Sequence, residues 1–144
     1  MPEISIEKIG QPIVKPEYPA RIFLPSGLPP FDAAHEFVLR MEEQAPPFFR
    51  IECVSMDLAY VLIDPFLIGA GYEPDFFESD FADIGLPLTE TPLILSIVNL
   101  SRGVDQATVN LVGPLIVHPR SGKGKQVVLQ NASCYSSKHL LLHE

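Results

Sequence analysis

Fifteen prolines in 144 residues, about twice the average share, set the first limit on what this chain can become. They stand at nearly every boundary between apolar runs, from Pro25 and Pro29-Pro30 through Pro46-Pro47, Pro65 and Pro74 to Pro114 and Pro119. Proline lacks an N–H and clashes with the turn before it, and it pushes the preceding residue toward extended geometry. Long helices are therefore excluded. Between the prolines lie about eight or nine short runs of strand character with no βαβ rhythm, which predicts an all-β fold. The expected architecture is a small closed or partly open antiparallel β-barrel with one or two short helical turns.

The best-defined stretch is 107–130, read as two strands joined by a Gly-rich basic turn. Val109, Leu111, Leu115 and Val117 share one face by the period of two, with Asn110, Pro114 and His118 on the other. Gly113-Pro114 interrupts the ladder, so the strand is expected to turn a corner there. In the second arm, 125–130, Val127 and Leu129 point inward and Gln126, Val128 and Gln130 outward. Residues 119–124 supply two glycines and a proline for the turn, and a hairpin is the simplest reading. Elsewhere 21–24, 37–41, 49–53, 58–63 and 93–100 read as strands, the last two buried on both faces and Cys53 in the core. Residues 4–8 and 12–14 are weaker strand candidates. Asp32 can cap a helical turn over 33–36, and Ser79 another over 80–84 that stops at Gly85. The tail after Gln130 carries few packing cues and is expected to be mobile or docked.

At this length residues 1–144 are expected to form one domain able to bury a core without disulfides. Cys53 and Cys134 lack the spacing of a zinc site or disulfide framework. The opening MPEISIEKIG has no apolar core for a signal peptide, and no run approaches a membrane span. A reduced, cytoplasmic setting follows as the expectation. Net charge is −8, and its distribution is uneven: 51–101 contains no Lys or Arg but holds Glu52, Asp57, Asp64, Glu73, Asp75, Glu78, Asp80, Asp83 and Glu90. Such a face repels nucleic acid and attracts basic proteins, or simply keeps the chain soluble.

A catalytic constellation does not assemble. His139 and His143 stand at the i, i+4 spacing of a helical metal pair, without the intervening Glu of H-E-x-x-H. SGKGKQ at the hairpin tip fails the P-loop pattern, because Gln126 replaces the hydroxyl residue and a strand follows. No cofactor or metal is expected. Arg120, Lys123 and Lys125 at that tip are either a solvated loop or a contact for an acidic partner. Asp64 before Pro65 reads as a turn carboxylate bonding nearby N–H groups. Phe31, Phe66, Tyr72, Phe76 and Phe77 lie in loops or at element ends, where aromatics plug a barrel or form a contact patch.

Five phrases in order, Gly27-Leu28-Pro29-Pro30-Phe31, Ala59-Tyr60-Val61-Leu62-Ile63-Asp64-Pro65-Phe66, Tyr72-Glu73-Pro74, Thr108-Val109-Asn110-Leu111 and Gly122-Lys123-Gly124-Lys125-Gln126-Val127-Val128-Leu129, resemble the flagellar assembly factor family FliW. The resemblance spans 21–129. It implies a barrel-like, non-enzymatic cytoplasmic protein that binds flagellin before export and also the RNA-binding regulator CsrA. On that reading CsrA is drawn off flagellin mRNA, and flagellin and CsrA compete for the factor. No direct nucleic-acid or membrane contact is implied. Pro30 departs from the usual GLPGF, and Gly113-Pro114 from the commoner Ala-Pro. Motif positions and exposed side chains nominate Asp64, Phe66, Tyr72, Glu73, Asp75, Glu78, Asp80, Asp83, Asn110, Lys123 and Lys125 for partner contact. The alternative is a small β-barrel ligand-binding module or enzyme with a pocket near the loop 66–72.

Overall fold

The structure, a computed structural model, describes residues 3–5, 18–68 and 71–141, the first three by backbone alone. Its strands are β1 (Glu3–Ser5), β2 (Ala20–Phe23), β3 (Glu36–Met41), β4 (Phe49–Cys53), β5 (Ala59–Ile63), β6 (Asp75–Phe77), β7 (Leu93–Asn99), β8 (Thr108–Val109), β9 (Leu115–Val117), β10 (Gly124–Gln126) and β11 (His139–Leu140). One short helix, α1 (Glu78–Asp83), and 3-10 turns at Pro65–Leu67, Val104–Gln106 and Ala132–Cys134 join them. The main sheet is antiparallel in the order β10-β9-β7-β5-β4-β3-β2. β8 also pairs with β7 and carries β11 outside it, while β1 and β6 form a separate pair. The two ends of the main sheet touch at a single bridge, Phe23 to Lys123, where the Phe23 N–H donates to the Gly122 carbonyl at 2.8 Å. One bridge in place of a ladder leaves the barrel partly open.

Alternation along the strands sorts the apolar side chains into two cores. Phe37 and Leu39 on β3, Ile51 on β4, Leu62 on β5, Leu93 and Leu95 on β7, and Leu115 and Val117 on β9 fill the barrel interior. The opposite faces of the last three strands, through Ile63, Ile94, Val98 and Ile116, form a second core with Tyr72, Phe76, Phe81, Val127 and Leu129. β5, β7 and β9 are thus a wall between the interior and an outer layer built from 65–68, 71–86 and 127–141.

The corner at Gly113-Pro114 is present and does more than bend the chain. Five residues, 110–114, oppose only 96–97 of β7, so β8 and β9 pair with the same neighbour in registers offset by three. An odd offset swaps faces in a structure of period two. Val109 and Leu111 therefore enter the outer core, whereas Leu115 and Val117 enter the barrel. The expectation of one shared face for all four holds only within each half. Val127 and Leu129 are buried and Val128 is exposed, as the alternation requires.

Other expectations change locally. The helical turn over 33–36 is absent: Leu24 N–H donates to the His35 carbonyl at 2.7 Å and the His35 ring meets the Leu24 carbonyl at 2.9 Å, which extends the β2–β3 pairing into 34–36. α1 begins at Glu78, with Phe77 at its N-cap and no side-chain cap, instead of after Ser79. Gly85 does end it, at φ 71°. β5 is fully buried only at Leu62 and Ile63; Tyr60 and Val61 are half-buried against the interior and the outer core, and Ala59 is exposed. Cys53 is half-buried at the end of β4. His139 is in extended β11, so no helical pair forms from it, and His143 lies outside the described residues. Of the weak N-terminal candidates, Glu3–Ser5 forms β1 against β6, and the remainder, including 12–14, lies outside them too. The tail is docked: the Leu141 N–H donates to the Ala107 carbonyl at 2.9 Å.

Candidate protein-binding site

The hairpin and α1 are tied by one lysine. Lys125 on β10 places its Nζ 3.0 Å from Asp80 Oδ1 and 2.8 Å from Asp83 Oδ2. Asp80 and Asp83 are three apart, so α1 presents both on one side. Partial burial draws the Lys125 pKa down, but the two carboxylates outweigh it and the net shift is upward. Asp80 is buried, and its Oδ2 has no partner among the described residues.

The loop after β5 turns inward around aromatics. Asp64 Oδ1 accepts from the Phe66 N–H at 2.9 Å and caps the 3-10 turn. Burial raises the Asp64 carboxyl pKa, partly opposed by that bond. Phe66 packs edge-on to Tyr72 with ring centres 5.5 Å apart, and Tyr135 from the tail meets the same ring at 4.8 Å. The Tyr72 hydroxyl donates to the Leu111 carbonyl at 2.8 Å, and burial pushes its pKa well up. Asn131 clamps the next turn, accepting from the Asp75 N–H at 3.0 Å and donating to the Glu73 carbonyl at 2.8 Å, while Tyr135 Oη accepts from the Glu73 N–H at 2.7 Å. Between this loop and the tail runs a mainly apolar groove of about 930 Å³, with Phe48, Ile63, Pro65, Leu67, Tyr135 and Leu140 among its walls.

The acidic run is partly neutralised by basic residues that lie outside 51–101. Glu52 pairs with Arg40 and Arg50, Glu90 with Arg120, and Asp80 and Asp83 with Lys125. Glu73, Asp75 and Glu78 have no ion-pair partner among the described residues and remain as a compact acidic strip on the run into α1. Of the nominated residues, Tyr72 lines the groove and Phe66 packs against its ring, while Asp64, Glu73 and Asp75 are not among its walls. Asp80, Asp83 and Lys125 lie together at α1. Lys123 sits at the barrel seam, where its carbonyl accepts from the His118 N–H at 2.8 Å. Asn110 Oδ1 accepts from the Val112 and Gly113 N–H groups at 3.1 and 2.9 Å, so its amide shapes the bulge. Sequence reasoning missed Asn131 and Tyr135, whose partners lie more than fifty positions away.

The family model described as FliW protein matches residues 4–141. The chain belongs to the FliW family. Among similar proteins, a flagellar assembly factor FliW of Natranaerobius thermophilus is 36% identical over 125 residues, covering 85% of this chain and 82% of that one. The Bacillus subtilis (strain 168) flagellar assembly factor FliW is 30% identical over 119 residues, covering 82% of each. A crystal structure of the flagellar assembly factor FliW superposes with a TM-score of 0.77 at 26% identity, over 91% of this chain and 92% of that chain.

FliW-like phrases fall where backbones come close. A Cβ on Gly27, whose φ is 74°, would lie 2.5 Å from the Asp32 backbone, and one on Gly122, at φ 78°, 2.3 Å from the Arg21 carbonyl. Any side chain there would push the Gly27–Phe31 turn or the hairpin tip off the barrel. Pro30, the departure from the usual FliW glycine, is exposed.

Proposed function

We propose that this chain is a non-catalytic, single-domain cytoplasmic binder in flagellar assembly that takes flagellin and the regulator CsrA and so couples flagellin synthesis to demand. The observation that carries the reading is the FliW match across 4–141 together with the shared fold. The strip Glu73, Asp75 and Glu78 supplies long-range attraction for a basic RNA-binding protein. The same net charge of −8 disfavours direct nucleic-acid binding. Among the described residues no helix is long and apolar enough to cross a membrane.

The alternative of a small-molecule site near 66–72 asks for polar groups converging in a pocket. The groove there commits both its phenols internally, Tyr72 to Leu111 and Tyr135 to Glu73, which favours the protein-binding reading. Isothermal titration with flagellin and CsrA from the same organism, singly and in competition, tests the proposal. Saturable binding with mutual displacement is expected. Absence of binding to both folded partners would remove the function and leave the family membership intact.

A further inference from the structure

We propose that the apolar groove continues into a neighbouring basic pocket, and that the two together dock a protein segment presenting a row of apolar side chains beside a carboxylate. The inference rests on the binder reading above and specifies the chemistry of one partner.

The second pocket, of about 390 Å³, includes Asn99, Arg102, Gln106, Thr108, Lys138 and Leu140 in its lining. Its charge is unusual for this molecule. Arg21 pairs with Glu36, Arg40 and Arg50 with Glu52, Arg120 with Glu90, and Lys125 with Asp80 and Asp83. Arg102, Lys123 and Lys138 are the basic residues without an ion pair among those described, and two of the three line one pocket. Like charges brought together repel until an anion sits between them. Among the described residues no carboxylate is part of its lining. Arg offers a planar fork suited to a carboxylate, and the surrounding amides and hydroxyls add hydrogen-bonding groups.

The apolar half adjoins directly. Leu140 lines both cavities and remains 50% exposed, so it forms the ridge between them. Its strand, β11, pairs with β8 along one edge only among the described residues, which leaves an edge beside the ridge for an extended segment. Two cations beside an apolar trough fit a peptide better than a nucleic acid, whose binding needs a longer basic track. The acidic strip at 73–78 would repel the same carboxylate, which favours its seating at Arg102 and Lys138.

The test uses two dyes with the same rings on the full chain. 1-Anilinonaphthalene-8-sulfonate carries an anion, and N-phenyl-1-naphthylamine does not. Fluorescence titration is expected to show the sulfonate binding roughly tenfold tighter, an advantage lost at high salt. NMR shifts should map to 99–108 and 134–141. The exposed pair Arg102→Gln and Lys138→Gln should abolish that advantage without moving the affinity for the neutral dye or the near-ultraviolet circular dichroism. Leu140→Ser should weaken both dyes. A leucine-rich peptide with a free terminal carboxylate should displace the sulfonate, and its amide should not. Equal affinity for the two dyes, no effect of the double variant, or equal displacement by the amide or by a single-stranded oligonucleotide would overturn the proposal. Flagellin and CsrA are not in this assay, so its failure is separable from failure of the partner titration.

Discussion

The barrel interior and the outer layer both bury apolar side chains, but they are assembled by different means. The interior is made by ladders: β2 to β5 are joined residue to residue by antiparallel pairing, and the alternation of each strand delivers Phe37, Leu39, Ile51 and Leu62 inward. The outer layer is laid over β5, β7 and β9 by segments with little pairing of their own. It is held by side chains that reach across the sequence, Tyr72 to Leu111, Asn131 to Glu73 and Asp75, and Lys125 to Asp80 and Asp83. A ladder distributes its strength over many bonds, whereas a clamp concentrates it in one residue. The layer with the clamps also holds the groove, the acidic strip and the tail, so the proposed binding surfaces sit on the layer with the less distributed bonding.

The largest effect should come from Phe37→Ala in the interior. Its ring is buried, and its removal is expected to cost about 3–5 kcal/mol in urea unfolding and to accelerate hydrogen exchange throughout. A loss confined to β3 would break the picture of one cooperative interior. Asn131→Ala removes two bonds of the outer clamp and should cost about 1–2 kcal/mol. Its faster exchange should be confined to 71–78, with β3 and β4 unaffected. Tyr72→Phe deletes one bond to Leu111 for about 1 kcal/mol, and the unfolding midpoint should move without a change in the denaturant slope.

The smallest effect is at Asp64, and it depends on pH. Because burial raises its carboxyl pKa, the folded chain holds that proton more tightly than the unfolded one, and ionisation costs stability as pH rises through the ordinary carboxylate range, about 4. Asp64→Asn keeps the acceptor for Phe66 and should gain within about 0.5 kcal/mol at pH 7 and nothing at pH 3. A gain that grows in acid would contradict the assignment.

The interior was the legible half of the sequence because its information is local. Phe49, Ile51 and Cys53 against Arg50 and Glu52 announce a half-buried strand, and the 107–130 pattern announces a hairpin whose arms pair at Ile116 and Lys125. The five family phrases were equally readable. What escaped is non-local. Nothing near Asn110 reveals that 110–114 will shift the register by three and turn Val109 and Leu115 to opposite cores. Charge counting over 51–101 could not see Arg40, Arg120 and Lys125 arriving from distant positions, and it stopped one residue short of Arg50 on the strand of Glu52. The tail NASCYSSKHL has no periodicity because Asn131 and Tyr135 act as single contacts and β11 is two residues long. Of the candidates at 64–75, Tyr72 lines the groove, whose other wall is made by the tail and was not legible in the sequence.

Hydrogen–deuterium exchange of the intact protein, alone and saturated with flagellin or CsrA in turn, tests the division most directly. Protection on binding should fall in 64–78, 99–108 and 134–141, with the exchange of β3 and β4 unchanged. Protection confined to the outward face of β2, β3 and β4, with the outer layer unaffected by either partner, would contradict the account.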